Sequence, residues 1–239
     1  MKVINIGDLH LPYAKKSTIN KAIKRVAEEQ PDVVIQGGDL FDQYLFGRFD
    51  KNMNFATPEK ELKKAREQAI EFWKNIKKAA PKARRIQLIG NHDVRLLKTC
   101  AKKYPEAYHI VEKEFKNLYK FNGVELKKSD RDYVKFDGVV YCHGWSSKHI
   151  SHFKSSVVRQ HDHKAWLFIT PKTDLVEGAG ITFKTTYTID RSEHINFEIS
   201  CGTFCDETKV PFGYVNSRRT NWQPAIAIVT KDYARLEIL

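Results

Sequence analysis

Leu88-Ile89-Gly90-Asn91-His92-Asp93 is the stretch on which the fold of this chain turns. A short apolar run, Ile86-Ile89, leads straight into a glycine and then into three side chains able to bind a metal or move a proton. Four further clusters of the same character are spread along the chain: Gly7-Asp8-Leu9-His10, Gly37-Gly38-Asp39, Cys142-His143-Gly144 and His161-Asp162-His163. The first three of these follow apolar runs of their own, Val3-Ile6, Val33-Ile35 and Val139-Tyr141. Open α/β sheets place their ligands in the loops that leave strand ends. Side chains delivered by such loops are therefore candidates for one common site.

The segments between the clusters supply the helices. Ile19, Ala22, Ile23, Val26 and Ala27 fall at helical spacing, with Ser17 or Thr18 as the cap and Pro31 as the stop. Flanked by Val3-Ile6 and Val33-Ile35, this helix makes a β-α-β unit, which predicts a parallel pair with a right-handed crossover. Thr57-Pro58 opens a long second helix as N-cap and first-turn proline. Leu62, Ala65, Ala69, Phe72, Trp73 and Ile76 form its buried stripe, and Pro81 ends it. Its other face carries Lys60, Lys63, Lys64, Arg66, Lys74, Lys77 and Lys78, which reads first as a solvated surface and second as a nucleic-acid contact. A third helix runs from Asp93 to Lys103 with Leu96 and Leu97 inward. Residues 115–132 show no assignable period.

Tyr133-Phe136 and Val139-Tyr141 flank Asp137-Gly138, the pattern of a hairpin. A short helix is expected near His149 to Lys154. From Ala165 the chain turns β-rich, through Phe183-Ile189, Ile195-Ile199, Ala225-Val229 and Tyr233-Leu239. These late strands are expected to build a second sheet packed on the first. With no long Pro/Gly/Ser linker, residues 1–239 read as a single domain.

The chain has 239 residues, 41% of them hydrophobic, which suits a folded soluble protein. No apolar run reaches membrane length and no signal-peptide pattern opens the chain, so a cytoplasmic location is expected. Cys100, Cys142, Cys201 and Cys205 make no disulfide framework at this size and read as reduced thiols. Cys142 precedes His143 in a strand and should point away from it. Cys201 and Cys205 lack the second pair that a structural zinc site needs. The net charge of +12 attracts polyanions or phosphorylated substrates, though it also serves solubility. It places nucleic acid modestly above small molecules as a partner.

Asp8, His10, Asp39, Asn91, His143, His161 and His163 offer oxygen and imidazole ligands with no thiolate among them. Such a set suits manganese, iron or zinc better than magnesium or calcium. Seven donors exceed what one catalytic ion with open positions can use. They fit two ions sharing a carboxylate, and such a pair roughly 3.5–4 Å apart can clamp an in-line phosphoryl displacement. Taken alone, His10 or His143 reads as a hydrogen-bonded core residue; together, in this order at strand ends, the seven read as ligands. His109 and His194 match no cluster, and His149 and His152 read as helix surface.

Asp8-x-His10, Gly38-Asp39, Gly90-Asn91-His92-Asp93, His143 and His161-x-His163 resemble, in order and setting, the five motifs of the calcineurin-like metallophosphoesterase superfamily. The resemblance implies an α/β fold, a four-layer αββα sandwich of two mixed β-sheets of the metallo-dependent phosphatase type. It implies one metal on Asp8, His10, Asp39 and His163 and a second on Asp39, Asn91, His143 and His161, with Asp39 as bridge. Manganese comes first, with iron, zinc or nickel as alternatives. His92 would be the general acid and Asp93 the residue that orients its ring. The implied reaction is hydrolysis of phosphate esters, phosphodiesters first, by a metal-bridging hydroxide.

The family's last motif is Gly-His-x-His, whereas Gln160 stands in the glycine's place here. A looser similarity to phage and bacterial members rests on Arg95, His143-Gly144-Trp145 and Asn221-Trp222-Gln223. Arg95 is a candidate substrate contact, since a guanidinium fork suits phosphate. Asp42 reads equally as a substrate contact or as half of an ion pair. Arg218 and Arg219, with Tyr214 and Trp222 nearby, read as a solvated loop before a single-strand platform. Open alternatives are a nuclease acting on DNA or RNA, a hydrolase of cyclic nucleotides, dinucleotides or phosphoproteins, and a scaffold without catalysis. The scaffold ranks last because the full ligand set and the acid histidine are present. These motifs leave the oligomeric state unspecified.

Overall fold

The protein is described by a computed structural model over residues 1–47, 57–144, 152–170, 186–192, 196–209 and 222–239. Strands β1 (Val3–Ile6), β2 (Val33–Gln36), β3 (Arg84–Gln87) and β4 (Glu125–Leu126) pair in parallel. Helix α1 (Lys16–Glu29) crosses from β1 to β2, and α2 (Pro58–Ala79) lies between β2 and β3. Helices α3 (Arg95–Lys103) and α4 (Tyr108–Leu118) follow before β4. The hairpin β5 (Tyr133–Phe136) and β6 (Val139–Cys142) forms as expected, with Asp137 and Gly138 both at positive φ in the turn. It joins β7 (Ser156–Arg159), β8 (Ala165–Thr170) and β10 (Asn196–Cys201) in a five-stranded sheet of order β5-β6-β7-β10-β8.

The late strands do not all enter that second sheet. β9 (Thr186–Asp190), β11 (Ala225–Val229) and β12 (Tyr233–Ile238) extend the first one, giving β4-β3-β2-β1-β11-β12-β9. The cause is visible in β11, which is buried at every position. Ala225, Ala227 and Val229 join the core between the sheets, while Ile226 and Ile228 join the core under the helices. A strand apolar on both faces belongs inside a covered sheet, and β11 takes the place beside β1.

Side-chain alternation divides each central strand between the two cores. Val33 and Ile35 meet Tyr141, Val158, Phe197 and Ile199 between the sheets. Val34, Ile4 and Ile6 turn the other way, onto Ala22 and Val26 of α1, Phe72 and Ile76 of α2, and Phe115 of α4. Among the described residues the layers are helices, sheet and sheet, with a helical turn on the outer face of the second sheet. On the far face of the second sheet, Phe153, in a helical turn with His152, covers Val140, Cys142 and Val157. The rest of the expected short helix, His149 included, lies outside the described residues. Burial pushes the Cys142 thiol up to about 12, in keeping with a core residue.

Local boundaries shift in three places. Helix α1 begins at Lys16, so Ser17 and Thr18 lie inside it and no side chain caps it. Strand β3 ends at Gln87, and Leu88 and Ile89 already belong to the loop that carries the ligands. Residues 115–132 resolve into the end of α4, then β4, then a turn in which the Asp132 carboxylate accepts from the Lys128 and Ser129 amides. The N-cap of α2 forms as read, the Thr57 hydroxyl accepting from the Lys60 amide at 3.3 Å.

Glu61 in the first turn of α2 is an unexpected core residue, 3% exposed. Its carboxylate accepts the Tyr44 amide at 2.7 Å and so ties α2 to the loop that leaves β2. Burial raises its pKa from 4.5 to about 7. Between those values the folded chain holds a proton that the unfolded chain has lost, so this group's contribution to stability falls as pH rises from about 4.5 to about 7. Glu61→Gln is expected to remove that slope: urea midpoints at pH 5 and pH 8 should differ less in the variant than in the parent protein.

Candidate metal centre

Loops from both sheets converge on one end of the sandwich. Asp8 and His10 follow β1, Asp39 follows β2, Asn91 follows β3, His143 follows β6, and His161 and His163 follow β7. Two sets of contacts flank Asp39, and a further close group joins His10, Asp39 and His92. In the first, His10 Nε2 stands 3.0 Å from His163 Nε2, which lies 3.8 Å from Asp8 Oδ2; His10 Nε2 is 3.9 Å from Asp39 Oδ2. In the second, Asn91 Oδ1 lies 2.8 Å from His143 Nε2 and 2.7 Å from His161 Nδ1, and His143 Nε2 is 3.4 Å from Asp39 Oδ2. Donors around one divalent ion stand roughly 3–4 Å apart when each bond is about 2.0–2.2 Å. The separations here are of that size.

The electrostatics call for a cation. Asp39 Oδ2 and Asp8 Oδ1 are buried and accept no hydrogen bond. A buried carboxylate oxygen without a donor is costly unless a positive charge serves it. Burial lifts the Asp8 carboxyl to about 7. It also opposes charge on His143, but Asp39 outweighs it and brings that imidazole up to about 9. Burial and the neighbouring His143 hold His161 down to about 4, leaving it a neutral ring with a free lone pair. The donor set fits one or two divalent ions.

The backbone is strained at the same positions. Asp8, His10, Asp39, His161 and His163 have φ of 49°, 49°, 49°, 81° and 59°. A side-chain-bearing residue in this region costs roughly 1–2 kcal/mol. Such strain persists where surrounding structure over-determines it. Here the Asp8 amide donates to Gly38 O, the His10 amide to Asp39 O, and the His161 amide to Asp8 Oδ2, at 3.0, 2.9 and 2.9 Å.

Gln160 fits without such strain: the left-handed positions are 161 and 163. Its amide donates to His143 O at 3.0 Å, and its side chain fills the space above two glycines. A Cβ on Gly7 would stand 2.3 Å from Gln160 Cδ, and one on Gly37 would stand 2.6 Å from Gln160 Cγ.

His92 lies beside Asp39 and His10, close enough to form a third group with them, its Nε2 4.0 Å from Asp39 Oδ2. The family resemblance implies that Asp93 orients this ring; the carboxylate in contact with the ring in the structure is that of Asp42. Asp42 Oδ1 lies 2.8 Å from His92 Nδ1. Asp93 points the other way, accepting the Gly90 and Phe41 amides at 2.8 and 2.9 Å and the Tyr119 hydroxyl at 2.6 Å. It stitches the loop after β3 to the loop after β2. The Asp39-x-x-Asp42 spacing is the signal that marks Asp42. Burial alone would raise the Asp42 carboxyl, but His92 and His10 hold it below the usual range.

Arg95 reaches the same corner. Its Nη2 is 2.6 Å from His92 Nε2, and its Nη1 donates to Asp42 O and Oδ1 at 3.0 and 3.1 Å. Guanidinium only donates, so His92 Nε2 accepts and Nδ1–H donates to Asp42. This is the neutral ring, and burial lowers its pKa further. Trp222 stands edge-on to His163 with ring centroids 4.7 Å apart, and packs with Tyr13 and Tyr44. His109 and His152 pair with the rings of Tyr108 and Phe153. Trp145, His149, His194, Tyr214, Arg218, Arg219 and Asn221 lie outside the described residues.

A two-sheet α/β sandwich whose strand-end loops gather aspartate, asparagine and histidine around one shared carboxylate is a metallo-dependent phosphatase fold. The profile of the calcineurin-like phosphoesterases matches residues 1–195, and the chain belongs to that family. Among solved structures it is similar to Yfce, a phosphoesterase from E. coli, at 11% identity and TM-score 0.41, over 96% of this chain and 88% of that one. It is also similar to a single mutant of Vps29 from Entamoeba histolytica, at 10% identity and TM-score 0.42, over 100% of this chain and 99% of that one. No curated protein sequence matches it.

The two aspartates are expected to separate in experiment. Asp42→Asn should shift the His92 Nδ1–H resonance upfield in NMR spectra, because its acceptor loses the negative charge. Asp93→Asn should keep that resonance and lower stability by about 2–4 kcal/mol, because buried backbone donors lose a charged acceptor.

Proposed function

We propose that the protein is a phosphoesterase dependent on two divalent metal ions, acting first on phosphodiesters. The observation that carries this reading is the unpartnered Asp39 Oδ2, facing His10 on one side and His143 on the other. Asp8, His10, Asp39 and His163 would hold one ion, and Asp39, Asn91, His143 and His161 the other. Manganese is the first candidate for this imidazole and oxygen set, with iron, zinc and nickel behind it. Such ions neutralise phosphate charge and lower the pKa of water near the phosphorus.

The remaining work falls to the chain's own side chains. His92 protonates the departing oxygen from Nε2, as general acid catalysis requires. Asp42 holds Nδ1–H and stabilises the ring when it carries both protons. Arg95 must leave Nε2 for that proton to arrive, and a phosphate oxygen is a better partner for its fork. Arg95 is thus the proposed substrate contact. Nucleic acid leads among diester substrates on two grounds: the net charge of +12 and the exposed Lys60, Lys63, Lys64, Lys74, Lys77 and Lys78 on α2. We take residues 1–239 as one domain, since β11 and β12 complete the sheet that β1 begins. Among the described residues no helix is long and apolar enough to cross a membrane; a cytoplasmic location is part of the proposal.

With manganese, bis-p-nitrophenyl phosphate is expected to turn over faster than p-nitrophenyl phosphate. His92→Asn should cut kcat by about 10²–10⁴-fold with metal content unchanged. Asp39→Asn should lose both metal and turnover. Failure to hydrolyse either ester with manganese, iron, zinc or nickel would refute the enzyme. For the nucleic-acid substrate the measure is binding of single-stranded and duplex DNA and of RNA at two salt concentrations. Affinity should fall steeply with salt, since phosphate contacts release counterions; salt-independent or absent binding points to small diesters.

A further inference from the structure

Arg159, at the end of β7, matches no ligand motif yet is buried more deeply than any surface arginine needs to be, its side chain only 4% exposed. Its Nη1 donates to Gln160 O at 3.2 Å and its Nη2 to Asp162 Oδ2 at 2.5 Å. One planar group therefore grips the backbone just before His161 and the side chain just after it. Glu198 of β10 accepts Arg159 Nε at 2.5 Å from behind. Trp166 of β8 lies under the guanidinium, 4.8 Å from its ring centroid, and its indole N–H donates to the same Asp162 oxygen at 3.2 Å.

The arc held in this way carries backbone strain of its own. His161 and His163 flank Asp162, both left-handed, at φ of 81° and 59°. The Asp162 side chain is 35% exposed, so it seals no core. What it does is fix the turn between two imidazoles that point into different groups of the centre. Each imidazole needs its lone pair aimed within a few tenths of an ångström, and outer hydrogen bonds of this kind set such aim.

We infer that Arg159, Asp162, Glu198 and Trp166 form a clamp that positions His161 and His163 and thereby sets metal affinity at both halves of the centre. This rests on the reading of the two histidines as ligands. Arg159 and Asp162 are positioning residues, acting through their neighbours. The fork geometry matters: a lysine could reach one oxygen but could not hold Gln160 O and Asp162 together.

The test is manganese affinity of the full metal-free chain by titration calorimetry, with the urea midpoint of the same metal-free samples. Asp162→Asn and Arg159→Lys are expected to raise the manganese Kd by about 10–100-fold, the usual cost of losing such outer partners. Asp162→Asn should leave the metal-free midpoint near the parent value, and it decides the matter where Arg159→Lys fails to fold. His163→Ala is the control for the ligand reading. A Kd within twofold of the parent in Asp162→Asn, with a large loss in His163→Ala, overturns the clamp alone. An unchanged Kd in His163→Ala overturns the ligand reading on which the clamp rests. A fall in metal-free stability as large as the loss of binding free energy also overturns it, since that is general destabilisation.

Discussion

The Asp39 carboxylate is the constraint to which the surrounding structure answers. It is fully buried on a left-handed backbone, with one oxygen held by the His92 amide at 2.8 Å and the other offered to imidazoles on both sides. Space around it is tight. A Cβ on Gly90 would fall 2.1 Å from Asp39 Oδ1, so the glycine that opens the Gly-Asn-His-Asp stretch is the condition for the β3 loop to close over the β2 loop. A buried carboxylate with an open lone pair is unfavourable in a metal-free protein. It becomes favourable once a cation is at hand, and so folding and metal binding are linked through this residue.

The strain near Asp39 is tolerable because the two cores beneath it are rigid. β1 and β2 each place alternate side chains into the intersheet core and the helix-side core, and Ile86 anchors β3 in the intersheet core, which fixes where each strand ends. The loops then leave in set directions and are tied to one another: β1 to β2 through Asp8 and His10, β2 to β3 through Asp93, β6 to β7 through Gln160. Asp93 makes one of these ties through the Phe41 and Gly90 amides. Glu61 does the same from the helix side by holding Tyr44.

How much of this is legible in the sequence depends on whether a feature is local. The ligand clusters are local: a strand run, a turn and a polar group within a few residues, which is why the seven donors and His92 stand out. The β-α-β unit, the cap of α2 and the Asp-Gly hairpin are local too. What escapes is long-range pairing. That β11 inserts beside β1 depends on contacts between residues more than two hundred positions apart, and only its two-faced apolarity hints at them. Helix α4 escapes because it buries only Phe115 fully. Asp42 and Asp93 are both neighbours of ligands in sequence, and which one meets His92 is decided by how the loops cross. Gln160 looks like a defect in its motif until Gly7 and Gly37, in two other loops, are seen to make room for it.

Arg95, His92 and Asp42 carry the argument from resting geometry toward chemistry. At rest the arginine serves the lone pair of His92 Nε2, and the ring is neutral with its proton on the Asp42 side. A neutral ring with a cation at its working nitrogen is a poor acid. In the proposed reaction a phosphate diester would bring negative charge that draws the guanidinium away and favours a second proton on the ring. One binding event would then orient the substrate and arm the acid, and Asp42, already bonded to the ring, would need no rearrangement to stabilise the resulting imidazolium. The same logic explains the fixed setting of Arg95, whose other nitrogen stays on the Asp42 carbonyl and carboxylate. A side chain anchored at one nitrogen can turn the other between two partners without losing its place.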